Sequence, residues 1–299
     1  MGVKITENIS KNKEKNIEMS NLLQAIKTII DNPVIKVKDY YTGRNRANSV
    51  GEALENYIKD VFANSFELSE VERLKKFSKV FSYLGNQNNP PDIILRNNDA
   101  IEIKKVQSPT SALALNSSYP KAKLFADSPM LTQACKSCED WVEKDLIYIV
   151  GHTNDTDIKY LWFVYGDCFS ADKEVYEKIK KTISCGITEI PNVEFTETNE
   201  LGKVKKVDPL GITDLRIRGM WHIENPHKIF SYLNKVDANA TFQIMCLMKT
   251  EKFNSFSATD KALLENLIKD NYYFEATQIK NPNNPAQLLD CKLITFKIF

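Results

Sequence analysis

Between residues 19 and 31 apolar side chains recur every three or four positions. Leu22, Leu23, Ile26, Ile29 and Ile30 fall on one face, and the run stops before Asn32-Pro33. That spacing predicts an amphipathic helix. The same period returns over 48–64, where Val50, Leu54, Ile58 and Phe62 share a face, and again over 69–79. The period then shortens to two. Along Ala100-Ile101-Glu102-Ile103-Lys104-Lys105-Val106 the alternation predicts a strand with Ile101 and Ile103 on one face and Glu102 and Lys104 on the other. A second β-prone run covers 92–96. Pro90-Pro91 stand at its start, where proline costs the ladder least, and Asn97-Asn98-Asp99 between the two runs is turn chemistry. Residues 92–96 and 100–106 are therefore expected to form a β-hairpin that brings Asp92 near the Glu102 end of the second strand.

Past the hairpin, residues 107–129 carry few periodic cues and read as a loop. A helix is expected around 130–142, strands at 145–151 and 160–166, and a helix over 172–184. Late strands are expected at 241–249 and 291–299, and helices at 225–235 and 259–269. This mixture gives an α/β (or α+β) fold with a central mixed sheet flanked by helices. No internal repeat or linker is visible. The chain is read as a flexible polar lead over 1–17, then a single domain over 18–299 with an elaborated C-terminal part. Met1-Gly2 to Thr6 fits a myristoylation pattern by letter only, and the Lys/Asn/Glu-rich lead is read as a floppy terminus.

Composition changes this picture little. Hydrophobic content of 42% and charged content of 26% are those of an ordinary globular protein with a sizeable core. A formal net charge of +1 announces no nucleic-acid partner, but it does not exclude a local basic cleft. Short basic stretches occur at Lys104-Lys105, Lys121/Lys123, Lys203/Lys205/Lys206 and Arg216/Arg218. The six cysteines are scattered and read as reduced thiols. Cys135 and Cys138 lack a second C-x-x-C or a spaced His pair, so a helical pair is expected there in place of a zinc site. No stretch is long and apolar enough to span a membrane, and the expected location is cytoplasmic.

The chemistry concentrates in the hairpin. Pro91-Asp92, a gap, then Glu102-Ile103-Lys104 delivers two carboxylates and one ammonium to one point at a sheet edge. Such a point can hold Mg²⁺ and activate a water against a phosphodiester. Glu-x-Lys alone is common in strands and carries little; the whole pattern resembles the PD-(D/E)xK nucleases. The resemblance implies a restriction-endonuclease-like core, with Asp92 and Glu102 as metal ligands, the Ile103 carbonyl as a third, and Lys104 polarising the attacking water. It also implies an acidic residue on the preceding helix. Glu55 suits that place, with Glu52 one turn away.

Further blocks are similar to the NgoPII-type family of Type II restriction endonucleases. They include Asn45-Arg46-Ala47-Asn48, Gly51-Glu52-Ala53-Leu54-Glu55, Phe81-Ser82-Tyr83-Leu84-Gly85-Asn86 and Asn89-Pro90-Pro91-Asp92. Others are Ser111-Ala112-Leu113-Ala114-Leu115-Asn116-Ser117-Ser118, Met130-Leu131-Thr132, Leu215-Arg216-Ile217-Arg218-Gly219-Met220-Trp221 and Asn281-Pro282-Asn283-Asn284-Pro285-Ala286. The blocks run from about residue 20 across nearly the whole chain. The family implies Mg²⁺-dependent double-strand cleavage of DNA at a short palindrome, GGCC, by a homodimer, leaving 5′-phosphate and 3′-hydroxyl ends. Base or backbone contacts are expected from Arg216 and Arg218, with Arg44 and Arg46 as rivals, and from Asn116, Ser117 and Lys121. Two other readings stay open: a structure-specific repair or recombination nuclease of the same fold, and a non-catalytic sequence-specific DNA-binding protein.

Overall fold

The computed structural model describes residues 20–44, 46–47, 49–86, 89–191, 194–196, 198, 201–233 and 235–299. The lead expected over 1–17 lies outside them, as do Asn45 and Asn48 of the first family block. The expected N-terminal helices form as α1 (Leu22–Asp31), α3 (Val50–Ala63) and α4 (Glu70–Val80), with a short α2 (Val37–Thr42) between the first two. Their ends follow local chemistry. Asn21 and Ser49 cap α1 and α3 through side-chain oxygens. Ser69 and Glu72 form a reciprocal capping box on α4. Asn64 closes α3 in the left-handed region, at φ 46°.

The expected hairpin belongs to a run of three strands: β1 (Phe81–Asn86), β2 (Asn89–Leu95) and β3 (Ala100–Val106). Asn97 takes the turn at φ 56°. Asp99 behind it is buried and accepts from the Tyr165 hydroxyl at 2.6 Å and from Lys252 at 2.7 Å, which pins the turn to the core. The expected loop over 107–129 carries two short strands, β4 (Leu113–Ala114) and β5 (Lys123–Phe125).

Of the helix expected over 130–142, only α5 (Gln133–Lys136) forms. Thr132 caps its start, and Ser137 Oγ turns back to the Gln133 carbonyl at 2.9 Å, an alternative to helical continuation. Cys135 is buried on this turn. Strands β6 (Glu143–Thr153) and β7 (Ile158–Tyr165) follow, then α6 (Gly166–Phe169) and α7 (Lys173–Thr188). Strands β8 (Glu194–Thr196), β9 (Gly202–Lys205) and β10 (Leu215–Ile217) form a small antiparallel sheet. Strand β11 (His222–Ile223) pairs with β4.

The helix expected over 225–235 is cut to α8 (Pro226–Ile229) and a single 3₁₀ turn, where Ser231 Oγ bonds to the Lys228 carbonyl. The chain ends with β12 (Phe242–Lys249), α9 (Thr250–Ser255), α10 (Ala258–Glu265), β13 (Tyr272–Asn281) and β14 (Asn284–Ile298). The last strand is longer than expected and is preceded by a partner strand that polar residues such as Glu275, Gln278 and Lys280 leave without an apolar run.

The main sheet has the order β1-β2-β3-β6-β7-β12-β14-β13, with β5 on the flank of β6. It is mixed: β3 runs parallel to β6 and β7 parallel to β12, while the other pairs are antiparallel. The expected α/β architecture with a central mixed sheet is the one observed. Strands β6, β7 and β12 are buried almost throughout because both faces are covered. Helix α3 approaches this sheet closely at Gly151, where a Cβ would lie 2.7 Å from the Leu54 side chain. Glu55, the residue after Leu54, is carried toward the hairpin by that close contact.

Candidate active site

Strand β2 leaves the ladder on both of its edges at Asp92. Toward β3 the pairing runs Ile94↔Ala100 and Ile93↔Ile101, and then stops. Toward β1 it jumps from Leu84↔Ile93 to Asn86↔Asn89, so that Pro90, Pro91 and Asp92 stand opposite Gly85 alone. This is a bulge beside a functional group, a common way to re-aim one side chain. Gly85 is required by it: a Cβ there would lie 2.3 Å from the Pro91 carbonyl oxygen and 3.1 Å from that of Asp92. The Asp92 carboxylate fills the vacated ladder position. Its Oδ2 accepts the Ile103 N–H at 2.6 Å.

Glu102 and Lys104 share the half-buried face of β3, as the period-two pattern requires, and Lys104 Nζ donates to Glu102 Oε1 at 2.6 Å. Both lie in the field of Asp92. Burial, and then the Glu102 charge, push the Asp92 carboxyl up to about 7, against the opposing pull of Lys104 and the Ile103 N–H. Burial would lower the Lys104 ammonium, but the carboxylates of Glu102, Asp92 and Glu55 together hold it above the usual lysine range. Glu55 stands farther out. Its side chain is 43% exposed, lies 3.8 Å from Lys59, and reaches Asp92 and Lys104 only through its charge.

The raised Asp92 value has a direct consequence for the metal-free protein. A carboxyl that holds its proton to about pH 7 when folded, but only to about 4 when unfolded, opposes folding once it must ionise. Stability from this group therefore falls as pH rises from about 4 to about 7 and is level above. Asp92→Asn is expected to raise the melting temperature at pH 8 and to leave it nearly unchanged at pH 4. Thermal melts across that range check the sign.

A third group lines the same place. Lys121 is only 9% exposed, and burial brings its ammonium down to about 8. It borders a small cavity of about 20 Å³ together with Pro90, Pro91, Glu102, Tyr119 and Tyr148. It also lines a larger cleft of about 470 Å³ that contains Tyr119, Asp167 and Glu177.

The expected DNA contacts are placed less uniformly. Asn116 is exposed, with a left-handed φ of 50°. Backbone bonds between Leu115 and Trp221 and between Asn116 and Trp221 tie its loop to the segment just after Arg216 and Arg218. Ser117 is half-buried in that loop. Both arginines are exposed on or next to β10, on the small sheet rather than the main one. Tyr119, Tyr176 and Trp221 pack ring against ring in the same region. Arg44 stacks on Tyr40 at 3.8 Å. The Arg46 guanidinium bonds to Glu70 at 3.1 Å and to the Leu68 carbonyl at 3.1 Å, and is only 10% exposed, so its fork braces the segment before α3 against the start of α4. The roles of Gly85, Tyr148 and Tyr176 are not visible in the sequence pattern alone. For Gly85 a signal exists: a lone glycine in a strand pattern marks a bulge or a close approach.

Residues 20–280 match the family description "NgoPII restriction endonuclease". The chain belongs to the NgoPII restriction endonuclease family. It is 50% identical over 280 residues to the Type II restriction enzyme NgoPII of Neisseria gonorrhoeae, an alignment covering 93% of this chain and 100% of that protein. No solved structure matches it. Membership makes the chain a Type II restriction endonuclease, a site-specific deoxyribonuclease. Among the described residues no helix is long and apolar enough to cross a membrane.

Proposed function

We propose that this enzyme makes double-strand cuts in DNA at a short palindrome, GGCC, through the Asp92–Glu102–Lys104 centre. It would act as a cytoplasmic homodimer with one such centre on each strand, leaving 5′-phosphate and 3′-hydroxyl ends. The observation that carries the reading is the register of the hairpin: Asp92, released from both ladders, sits against Ile103 with Glu102 and Lys104 beside it.

The residues present fit a divalent cation. Among the described residues no cluster of three or more His, Cys, Asp or Glu is placed to hold one, so the donor set here is a carboxylate pair. Mg²⁺ is well served by one or two carboxylates, with waters and substrate phosphate completing its shell. A half-buried carboxyl raised by burial, and then by the charge of a second acid beside it, is a site that a cation relieves. Asp92, Glu102 and the Ile103 carbonyl would hold it, and when bound it supplies Lewis-acid stabilisation of charge on the scissile phosphate.

The chain's own residues do the rest. Lys104, held by Glu102, orients the attacking water and offsets phosphate charge. Asp92 is positioned by a main-chain donor and not by a flexible side chain, so its oxygen is fixed before substrate arrives. Glu102 and Asp92 chiefly keep Lys104 protonated, and Glu55, at the rim, adds a smaller share of negative charge.

Base reading is assigned to Arg216 and Arg218, supported by Asn116 and Ser117 on the loop tied to them through Trp221. Arg44 remains a backbone-phosphate candidate. Because both arginines are exposed, Arg216→Ala or Arg218→Ala is expected to leave the melting temperature unchanged. Specific binding is expected to weaken by about 1–3 kcal/mol with non-specific binding retained. Paired duplexes with and without the site, measured in Ca²⁺, read this out. The whole reading is tested by incubating the protein with unmethylated plasmid and Mg²⁺ and sequencing the ends. Discrete fragments cut at GGCC support it. Cutting that depends on junctions or flaps, or no cutting, overturns it.

A further inference from the structure

We propose that Lys121 is a second catalytic lysine, whose ammonium contacts the scissile phosphate from the small cavity that it shares with Glu102. This rests on the nuclease reading above and adds a residue to its chemistry.

Two lysines are buried among the described residues, Lys121 and Lys144. Lys144 follows the usual rule for a buried cation: it is paired with the Glu139 carboxylate. Lys121 breaks that rule. Its Nζ donates to the Ser118 hydroxyl and, at 3.2 Å, to the Tyr119 carbonyl, and lies 5.0 Å from the Tyr119 ring centre. All of these partners are neutral. Among the described residues no carboxylate stands within ion-pair distance of it. The nearest acid by its field is Glu102, which Lys104 already engages at 2.6 Å. A buried positive charge with only neutral partners is costly to maintain. The cost is accounted for if an anion completes the site during the reaction, and here the cavity opens beside the residues that handle a phosphodiester.

Anchoring of the loop does not require this ammonium. The Lys121 N–H donates to the Tyr148 hydroxyl at 2.8 Å. Its carbonyl packs so closely on Gly166 that a Cβ there would lie 2.3 Å away. Two residues later, Lys123 pairs with Asp145 in the sheet. The main chain is thus fixed by itself, and the side chain is held in place for another purpose.

The test compares Lys121→Met and Ser118→Ala with the wild type, in the full-length protein. Single-turnover cleavage in Mg²⁺, site-specific binding in Ca²⁺ and the melting temperature are measured on each. Lys121→Met is expected to cleave at least about 100-fold more slowly, the scale for losing one stabiliser of developing oxyanion charge. Its binding should stay within about tenfold. Its melting temperature should be equal or higher, because an unpaired buried cation gives way to an apolar chain of similar length. Ser118→Ala, which loosens the seat of the ammonium and removes no charge, should slow cleavage much less than Lys121→Met does. Wild-type cleavage by Lys121→Met overturns the assignment. So does a Lys121→Met protein that melts lower or fails to fold while Ser118→Ala loses cleavage in parallel, because the ammonium is then an anchor. If the wild type cuts no DNA, the nuclease reading itself has failed; if it cuts and Lys121→Met cuts equally, only the lysine assignment has.

Discussion

Asp92→Ala and Glu102→Ala proteins are expected to bind their site and fail to cut it. The two carboxylates lie at the end of the hairpin ladder, and the exposed arginines of the small sheet belong to a different sheet. Removing either acid therefore leaves the proposed reading surface intact. Loss of cleavage by about 10³-fold or more corresponds to about 4 kcal/mol of transition-state stabilisation. Binding without metal should hold or tighten, since a negative charge near the phosphate has gone. Asp92→Ala also frees the Ile103 N–H, whose partner is lost, so a modest fall in melting temperature is expected for it at low pH and not for Glu102→Ala. Matched cleavage rates and affinities decide the matter. Cutting at the wild-type rate by Asp92→Ala would remove the hairpin from the chemistry.

Gly85→Ala is expected to be nearly as damaging, although Gly85 bears no functional group. Its Cβ would overlap a main-chain oxygen of Pro91 at 2.3 Å and press on that of Asp92 at 3.1 Å. Backbone cannot swing aside as a long side chain can, so β1 and β2 must separate. Overpacking of this kind costs about 1–3 kcal/mol of stability. The larger effect falls on rate, because a shift of about 1 Å in a positioned group can cost about 100-fold. Gly85→Ala should thus slow cleavage by about two decades while keeping much of its fold and its DNA binding. Cleavage within a few-fold of wild type would show that the bulge tolerates displacement.

Much of the centre was legible because it is local. Glu102 and Lys104 share a face by the period of a strand, and Asn97-Asn98-Asp99 fixes which residues oppose them. The amphipathic helices were legible for the same reason. The bulge opposite Gly85 was not, because register against β1 depends on an apposition across the turn that alternation does not encode. The burial of Lys121 was equally invisible: its neighbours Tyr148 and Gly166 are remote in sequence, and a lysine beside Lys123 reads as a solvated pair. Arg46 is a candidate for DNA contact whose partners in the fold, Glu70 and the Leu68 carbonyl, are also remote in sequence and not encoded by its local pattern. The α5 and α8 segments are shorter than their apolar spacing predicts because side chains of Ser137 and Ser231 compete for main-chain carbonyls.

The bond from the Ile103 N–H to Asp92 gives the main chain itself a stake in the state of the site. Where β3 still pairs with β2, at Ala100 and Ile101, main-chain groups face one another, and exchange there tracks the opening of the sheet. At Ile103 the acceptor is a titratable oxygen that any bound cation or proton competes for. The protection of this one amide against deuterium is therefore expected to respond to the state of the carboxylate as well as to the stability of the strand, which makes it a backbone gauge of how the proposed site is loaded.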